Sequence, residues 1–244
     1  MNVFTQTNQR LIDLTLEVKS ADSWIQFPRN IVSGAEEPPT KMKALTTIGK
    51  QGSFVQTFST TTHSYTHIDA PAHFFPNGTP INEVSLEQLV GEAVVIDMMH
   101  KQPSEGITAK DLEDSGVEVK KGDIAIIRTG WTDKAFGTQE FWEKMIYLSE
   151  DAGKWLAEKK IKALLNDFMT DLAPLSTCPK TGSLIANPKN SYPSHHTLLG
   201  AGIVLIEWCT NLVSIQKERV IVVALPLKLK DGDAAQARVI AIES

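Results

Sequence analysis

Three of the chain's six histidines fall between residues 63 and 73, in the run His63-Ser-Tyr-Thr-His67-Ile-Asp69-Ala-Pro-Ala-His73, and two more are adjacent at His195 and His196. Imidazole nitrogen and carboxylate oxygen together suit Zn²⁺, Mn²⁺ or Fe²⁺. On a straight strand, residues four apart are separated by about 13 Å. Two imidazoles sharing an ion reach about 6 Å each from their Cα atoms, so the chain must bend between His63 and His67 for one ion to hold both. The step from His67 to Asp69 can stay extended, and Pro71 turns the chain before His73. In the second cluster, Glu207 directly follows the apolar run Ile203–Ile206, where an unpaired carboxylate is costly. A salt bridge with Arg128 would satisfy it. So would a metal ion, with His195 or His196 brought alongside by turns at Gly200 and Gly202. The residue types leave both open.

These side chains need a scaffold, and the pattern of the chain describes one. Ile12, Leu14, Leu16 and Val18 alternate with polar residues, which predicts a half-buried strand over Leu11 to Val18. Residues 20–52, with Pro28, Pro38 and Pro39, read as irregular, a flap over the rest. Ser53 to Thr62 reads as strand. Ser85 opens a short helix that Gly91 closes, and a strand follows over Glu92 to Met98. Thr108 and Asp111 have capping-box spacing, and Gly116 stops that helix. Asp123 to Ile127, Ile161 to Leu165 and Ile203 to Ile206 are buried strands. Glu150 and Asp151 begin a helix that ends near Lys159 and Lys160, as the macrodipole favours. Val220 to Leu229 and Gln236 to Ile242 flank an Asp231-Gly232 turn and read as a hairpin. The sum is a single mixed α/β domain over residues 1–244. Several strands end in polar residues (Asp97, Arg128, Asn166-Asp167, Glu207), where α/β proteins place their chemistry.

Composition narrows the partners. The 244 residues are 42% hydrophobic and 22% charged, with net charge −5, the profile of a globular protein. An acidic balance without Lys/Arg runs argues against nucleic acid and anionic membranes. No apolar run approaches a membrane span and no signal pattern opens the chain. Two cysteines, Cys178 and Cys209, make no disulfide framework, and the cytoplasm is the expected compartment.

The stretch HSYTHIDAPAHF resembles the HxGTHxDAPxH signature of the metal-dependent cyclase family, which includes kynurenine formamidase and isatin hydrolase. GDIAIIRTGW, KALLND, HHTLLGAGIVLIE and ALPLKLKDGDAAQARVIA resemble further landmarks of that family, in order along nearly the whole chain. The resemblance implies a swivelling β/β/α fold with a barrel-like sheet, one or two Zn or Mn ions, and a homodimer or homotetramer. It implies His63, His67 and Asp69 as ligands of a first ion. Asp69, His195 and Glu207 are implied for a second, with His73 as the proton-transfer residue. One departure stands out: Tyr65 replaces the signature glycine. Glycine would ease the bend, whereas tyrosine must find an ordinary conformation or accept strain.

The chemistry expected is metal-dependent hydrolysis of a small-molecule amide, an arylformamide or a cyclic amide or imide. Metal-activated water attacks the carbonyl and His73 carries the proton to the leaving nitrogen. Trp24, Phe27, Tyr65 and Phe74, with Phe75, are the candidate aromatic pocket. The alternatives are a non-catalytic metal- or ligand-binding relative whose pocket Tyr65 blocks, and a nucleophilic hydrolase using Ser194 or Cys209. His100 and His196 receive no role.

Overall fold

A computed structural model describes residues 9–20, 40–172, 175–177, 184–186 and 192–244. Its principal strands are β1 (Arg10–Asp13), β2 (Lys41–Thr46), β3 (Val55–Ser59), β4 (His67–Asp69), β5 (Val90–Asp97), β6 (Ile124–Arg128), β7 (Ala163–Asn166), β8 (Val204–Glu207), β9 (Arg219–Pro226) and β10 (Ala234–Glu243). Two helices bear on the site: α1 (Glu150–Glu158) and α2 (Pro193–Gly200). Eight strands join one sheet in the order β1-β10-β9-β5-β6-β7-β8-β4, and β10 also pairs with β4, closing the sheet into a barrel-like ring with β1 added outside it. β5 to β8 are parallel. β4 lies antiparallel between β8 and β10.

The ring's two faces carry two cores. Ile68, Ile124, Ile126, Leu165, Val204, Ile206 and Val222 fill one. Ala125, Ile127, Leu164 and Leu205 face the other, with Phe168, Leu198 and helix residues Ala152 and Leu156. Alternation along a strand makes this division automatic. It also decides the site, because Ile68 takes the first face and His67 and Asp69 must take the second.

Several expectations need correction. β1 stops at Asp13 rather than running to Val18. Beyond it the Leu14 N–H still donates to the Val239 carbonyl at 2.9 Å, and the Thr15 hydroxyl then takes over, donating to the same carbonyl at 3.1 Å and accepting the Val239 N–H at 2.9 Å. Residues 40–52 are not irregular, since they include β2 and a helical turn at Ile48–Gln51. The rest of the expected flap, residues 21–39 with Trp24 and Phe27, lies outside the described residues. The strand read over Ser53 to Thr62 is shortened to β3, which among the described residues pairs with β2 alone. Gly91 does not close the helical turn Leu86–Leu89 but lies inside β5 at φ +148°. Lys162 does that work, its Nζ donating to the carbonyls of Glu87 and Val90 at 2.7 Å each. The capping box at Thr108 and Asp111 forms with both bonds present.

The β2–β3 hairpin leaves Leu45, Phe54, Val55 and Phe58 about half exposed. Among the described residues no helix is long and apolar enough to cross a membrane. Ile68 is fully buried, so Ile68→Ala should cost about 2–5 kcal/mol in chemical denaturation. Phe58→Ser, on the exposed hairpin, should stay within about 0.5 kcal/mol.

Candidate metal centre

β4 has three residues, and strand register assembles the centre around it. Glu207 of β8 pairs with His67, and Leu205 with Asp69. On the other side Ala234 of β10 pairs with Asp69, and Gln236 with His67. His67, Asp69 and Glu207 therefore converge on one face, each at most 3% exposed.

The bend required between His63 and His67 is present. Ser64 N donates to the Thr61 carbonyl at 3.3 Å, and Tyr65 takes φ +59°. Tyrosine accepts the strain, of about 1–2 kcal/mol for a non-glycine residue. Its ring is buried, and its hydroxyl donates to the Lys19 carbonyl at 2.5 Å. Gln236 fixes the bend from outside, its Nε2 donating to the carbonyl of Thr61 at 2.6 Å and to those of Thr62 and Ser64 at 3.2 Å each. The strained turn aims the Tyr65 carbonyl at His67 Nδ1, 2.8 Å away. A carbonyl only accepts, so Nδ1 carries the proton and Nε2 is left free. That Nε2 stands 3.3 Å from Asp69 Oδ1 and 3.6 Å from Glu207 Oε2.

His63 lies between two carboxylates, with Nδ1 2.8 Å from Asp69 Oδ1 and Nε2 2.8 Å from Asp233 Oδ2. His195, on the first turn of α2, has Nε2 3.7 Å from Asp69 Oδ2 and 3.8 Å from Glu207 Oε1. His73 follows Pro71 in a 3₁₀ turn, its ring centroid 4.0 Å from that of His63 and its Nδ1 3.7 Å from Asp233. Among the described residues two groups are compact enough to hold an ion, His63 with Asp69 and His73, and His67 with Asp69 and Glu207, each with ligand atoms within 4.8 Å of one another. Asp69 belongs to both. The first group sets His73 beside His63, and the second sets Glu207 beside His67.

Neither buried carboxylate oxygen of Asp69 receives a well-aligned hydrogen bond, although His63 Nδ1 stands 2.8 Å from Oδ1. A buried carboxylate left so is costly, and a cation between it and the imidazole nitrogens would satisfy it. Nitrogen and oxygen donors of this kind fit Zn²⁺ or Mn²⁺. Glu207 does not pair with Arg128. The Arg128 guanidinium binds Asp97 at 2.6 Å and the Ile215 carbonyl at 2.8 Å, while Glu207 Oε1 accepts from the Thr170 N–H at 3.0 Å and from the Thr170 hydroxyl.

These groups border a cavity of about 530 Å³, lined also by Thr61, Thr62, Phe74, Met169 and Tyr192. Phe74 is where the sequence places it. Tyr65 is not, because its ring turns into the core beside Phe136 and forms no part of the lining. Phe75 faces Gly200 and the His196 ring instead. His196 and His100 are exposed and outside the cavity. Sequence reasoning missed Thr170, Asp171 and Asp233. The first two follow an expected strand end, and Asp233 lies in a segment read only as a turn.

The charges are strongly coupled. Burial opposes a proton on His63, but the Asp69 charge and hydrogen bonding to Asp233 outweigh it and raise its pKa to about 10. His195 behaves alike: burial opposes, Asp171 and Asp69 prevail, and the pKa rises to about 10. Burial also opposes ionisation of Asp69, yet His63 and His67 hold its carboxyl well below the usual range.

Fold and site together define an α/β barrel-like domain organised around a histidine–carboxylate centre able to hold metal. The chain belongs to the "Putative cyclase" family, whose sequence profile matches residues 12–170. It is similar to kynurenine formamidase of Bacillus cereus, 29% identical over 180 residues, 73% of this chain and 75% of that one. It is also similar to cyclase-like protein 1 of Arabidopsis thaliana, 29% identical over 203 residues, 80% of this chain and 72% of that one. A solved structure described as a potential metal-dependent hydrolase with cyclase activity superposes with TM-score 0.71 at 25% identity, covering 97% of this chain and 99% of that one. Isatin hydrolase A from Ralstonia solanacearum shares the fold, with TM-score 0.79 at 22% identity and coverage of 97% and 92%.

Two tests follow from this geometry. Folded pKa values above the ordinary 6.5 for His63 and His195 mean that their stabilisation is complete below pH 6.5 and is lost as pH rises through about 10. The chelator-treated protein should therefore melt at progressively lower temperature between pH 7 and 10, and a flat profile would contradict the coupling. Tyr65→Gly relieves strain but removes a buried ring and its hydrogen bond, so calorimetry should show a net loss of at least about 2 kcal/mol.

Proposed function

We propose that this chain is a metal-dependent hydrolase cleaving the C–N bond of a small amide, an arylformamide or a cyclic amide or imide. The observation that carries the reading is Asp69, a buried carboxylate faced by imidazole nitrogens of His63 and His67 at 2.8 and 3.3 Å without a well-aligned hydrogen bond, at the wall of a cavity. The names of its relatives support the same class, including kynurenine formamidase and a potential metal-dependent hydrolase. His63, His67, Asp69, His195 and Glu207 would hold one or two Zn²⁺ or Mn²⁺ ions, with Asp69 shared. A bound ion of this kind supplies a Lewis acid that activates water near neutral pH and draws charge from a carbonyl oxygen.

The chain's own residues do the rest. Phe74, Met169 and Tyr192 give the cavity an apolar side that receives a planar ring and excludes water. His73 stands at the rim, 28% exposed, with Nδ1 toward Asp233. Its Nε2 takes the proton of the attacking water and returns it to the leaving nitrogen. Two rival readings find less support. The Ser194 hydroxyl is buried against the carbonyls of Leu148 and Ser149 at 3.4 Å. Burial pushes the Cys209 thiol well above its usual range, so it is not the thiolate that a nucleophile requires. A pocket blocked by Tyr65 conflicts with the position of that ring. The homodimer or homotetramer expected from the family and the cytoplasmic location remain part of the proposal, and light scattering of the purified protein measures the first.

Exhaustive chelation should abolish hydrolysis of an arylformamide and of isatin, with recovery on adding Zn²⁺ or Mn²⁺. Full activity after chelation would refute the reading. His67→Ala should lose metal and activity together. His73→Ala should keep its metal by elemental analysis and lose about 10²–10⁴-fold in kcat, whereas metal loss would make His73 a ligand.

A further inference from the structure

We infer that Asp171 is a positioning residue, holding His195 in the tautomer and rotamer that direct Nε2 at the metal centre. The inference rests on the metal-dependent reading above. Asp171 lies five residues beyond Asn166, the last residue of β7, and its carboxylate is spent entirely on the start of α2. Its Oδ1 accepts from Ser194 N at 2.8 Å, and its Oδ2 accepts from His195 N at 3.0 Å and from His195 Nδ1 at 2.5 Å.

Two circumstances make this arrangement necessary. Helix α2 has no side-chain cap of its own: Tyr192 occupies the N-cap position at φ +51° and Pro193 follows. The free N–H groups of the first turn need an acceptor, and Asp171 supplies it from another segment. The same oxygen that takes the His195 backbone N–H also takes its ring Nδ1, so backbone and ring are fixed relative to one another. With Nδ1 protonated and bound, Nε2 is the only lone pair left, and it faces Asp69 and Glu207. The preceding residue does the equivalent for Glu207, since Thr170 donates both its N–H and its hydroxyl to Oε1. Adjacent residues of one loop thus orient two side chains that reach the centre from different elements. Carboxylate–histidine–metal relays of this type fix ring orientation and raise ligand basicity.

Asparagine at this position can keep at most two of the three contacts. If its amide oxygen takes the place of Oδ2, its NH₂ opposes the Ser194 N–H; if it takes the place of Oδ1, the NH₂ opposes His195 Nδ1. The test is Zn²⁺ titration of stripped wild-type, Asp171→Asn, His195→Ala and double-variant protein against a chelating dye, at a temperature where each melts more than 15 °C higher. Asp171→Asn should weaken one site about 10–100-fold and add less than twofold in the His195→Ala background. Unchanged affinity in folded Asp171→Asn overturns the inference. An undiminished loss in the His195→Ala background also overturns it, because Asp171 would then act through the helix and not through His195. Wild-type protein that binds no Zn²⁺ would refute the metal-dependent reading itself. A readout independent of the substitution is ¹⁵N–¹H correlation of the zinc-loaded wild type, which should show His195 protonated at Nδ1. Protonation at Nε2 overturns the inference even where Asp171→Asn fails to fold.

Discussion

The charge on Asp69 is the constraint around which the structure is arranged. A carboxylate removed from water costs several kcal/mol after relaxation unless charge or hydrogen bonds replace the lost hydration. Here neither oxygen receives a well-aligned hydrogen bond. What surrounds them are nitrogens of His63, His67 and His195, between 2.8 and 3.7 Å away. Without metal, the nearby carboxylates draw protons onto His63 and His195, which compensates charge with charge. Ions at the same place would compensate it in their stead, and binding them would require those protons to leave. The site is therefore balanced between two ways of neutralising the same carboxylate.

Balance of this kind needs imidazoles that cannot turn away, and each of the three is tied at its outer nitrogen by a different device. His67 uses a backbone carbonyl presented by the strained Tyr65 turn. His63 uses Asp233, just ahead of β10, and His195 uses Asp171, in the loop after β7. The acceptors come from distant parts of the sequence. They meet because β10 closes the ring against β4 and because β7 and β8 lie side by side. Barrel closure is thus a condition of the chemistry as well as of packing.

This separation explains what could be read from the sequence. His63, His67, Asp69 and His73 lie in one short run, and the need for a bend followed from strand geometry alone. Apolar β5 to β8 and the C-terminal hairpin were legible because their periodicity is local. Asp171 and Asp233 were not, since an aspartate in a loop carries no mark of the histidine it will meet, and that meeting depends on strand order. The end of β1 is hidden for a similar reason, because the Thr15 hydroxyl takes over from the backbone after Leu14 only when Val239 is opposite. Gly91 was misread because a lysine from another segment caps the preceding turn.

Tyr65 shows how far a departure from the family signature reaches. Glycine at a left-handed position is free of the penalty that tyrosine carries, so the substitution is tolerated only if the side chain returns something. It does so on the side away from the cavity, through burial beside Phe136 and a hydrogen bond to Lys19 that ties the N-terminal strand region to the bend. Its effect is mechanical: the backbone aims the same carbonyl at His67, and the ring holds that backbone in place. The apolar lining of the cavity consequently comes from Phe74, Met169 and Tyr192, with Phe74 packed against the rings of His73 and His195. Tyr65 belongs with Asp171, Asp233 and Gln236 among the residues that keep the imidazoles facing Asp69.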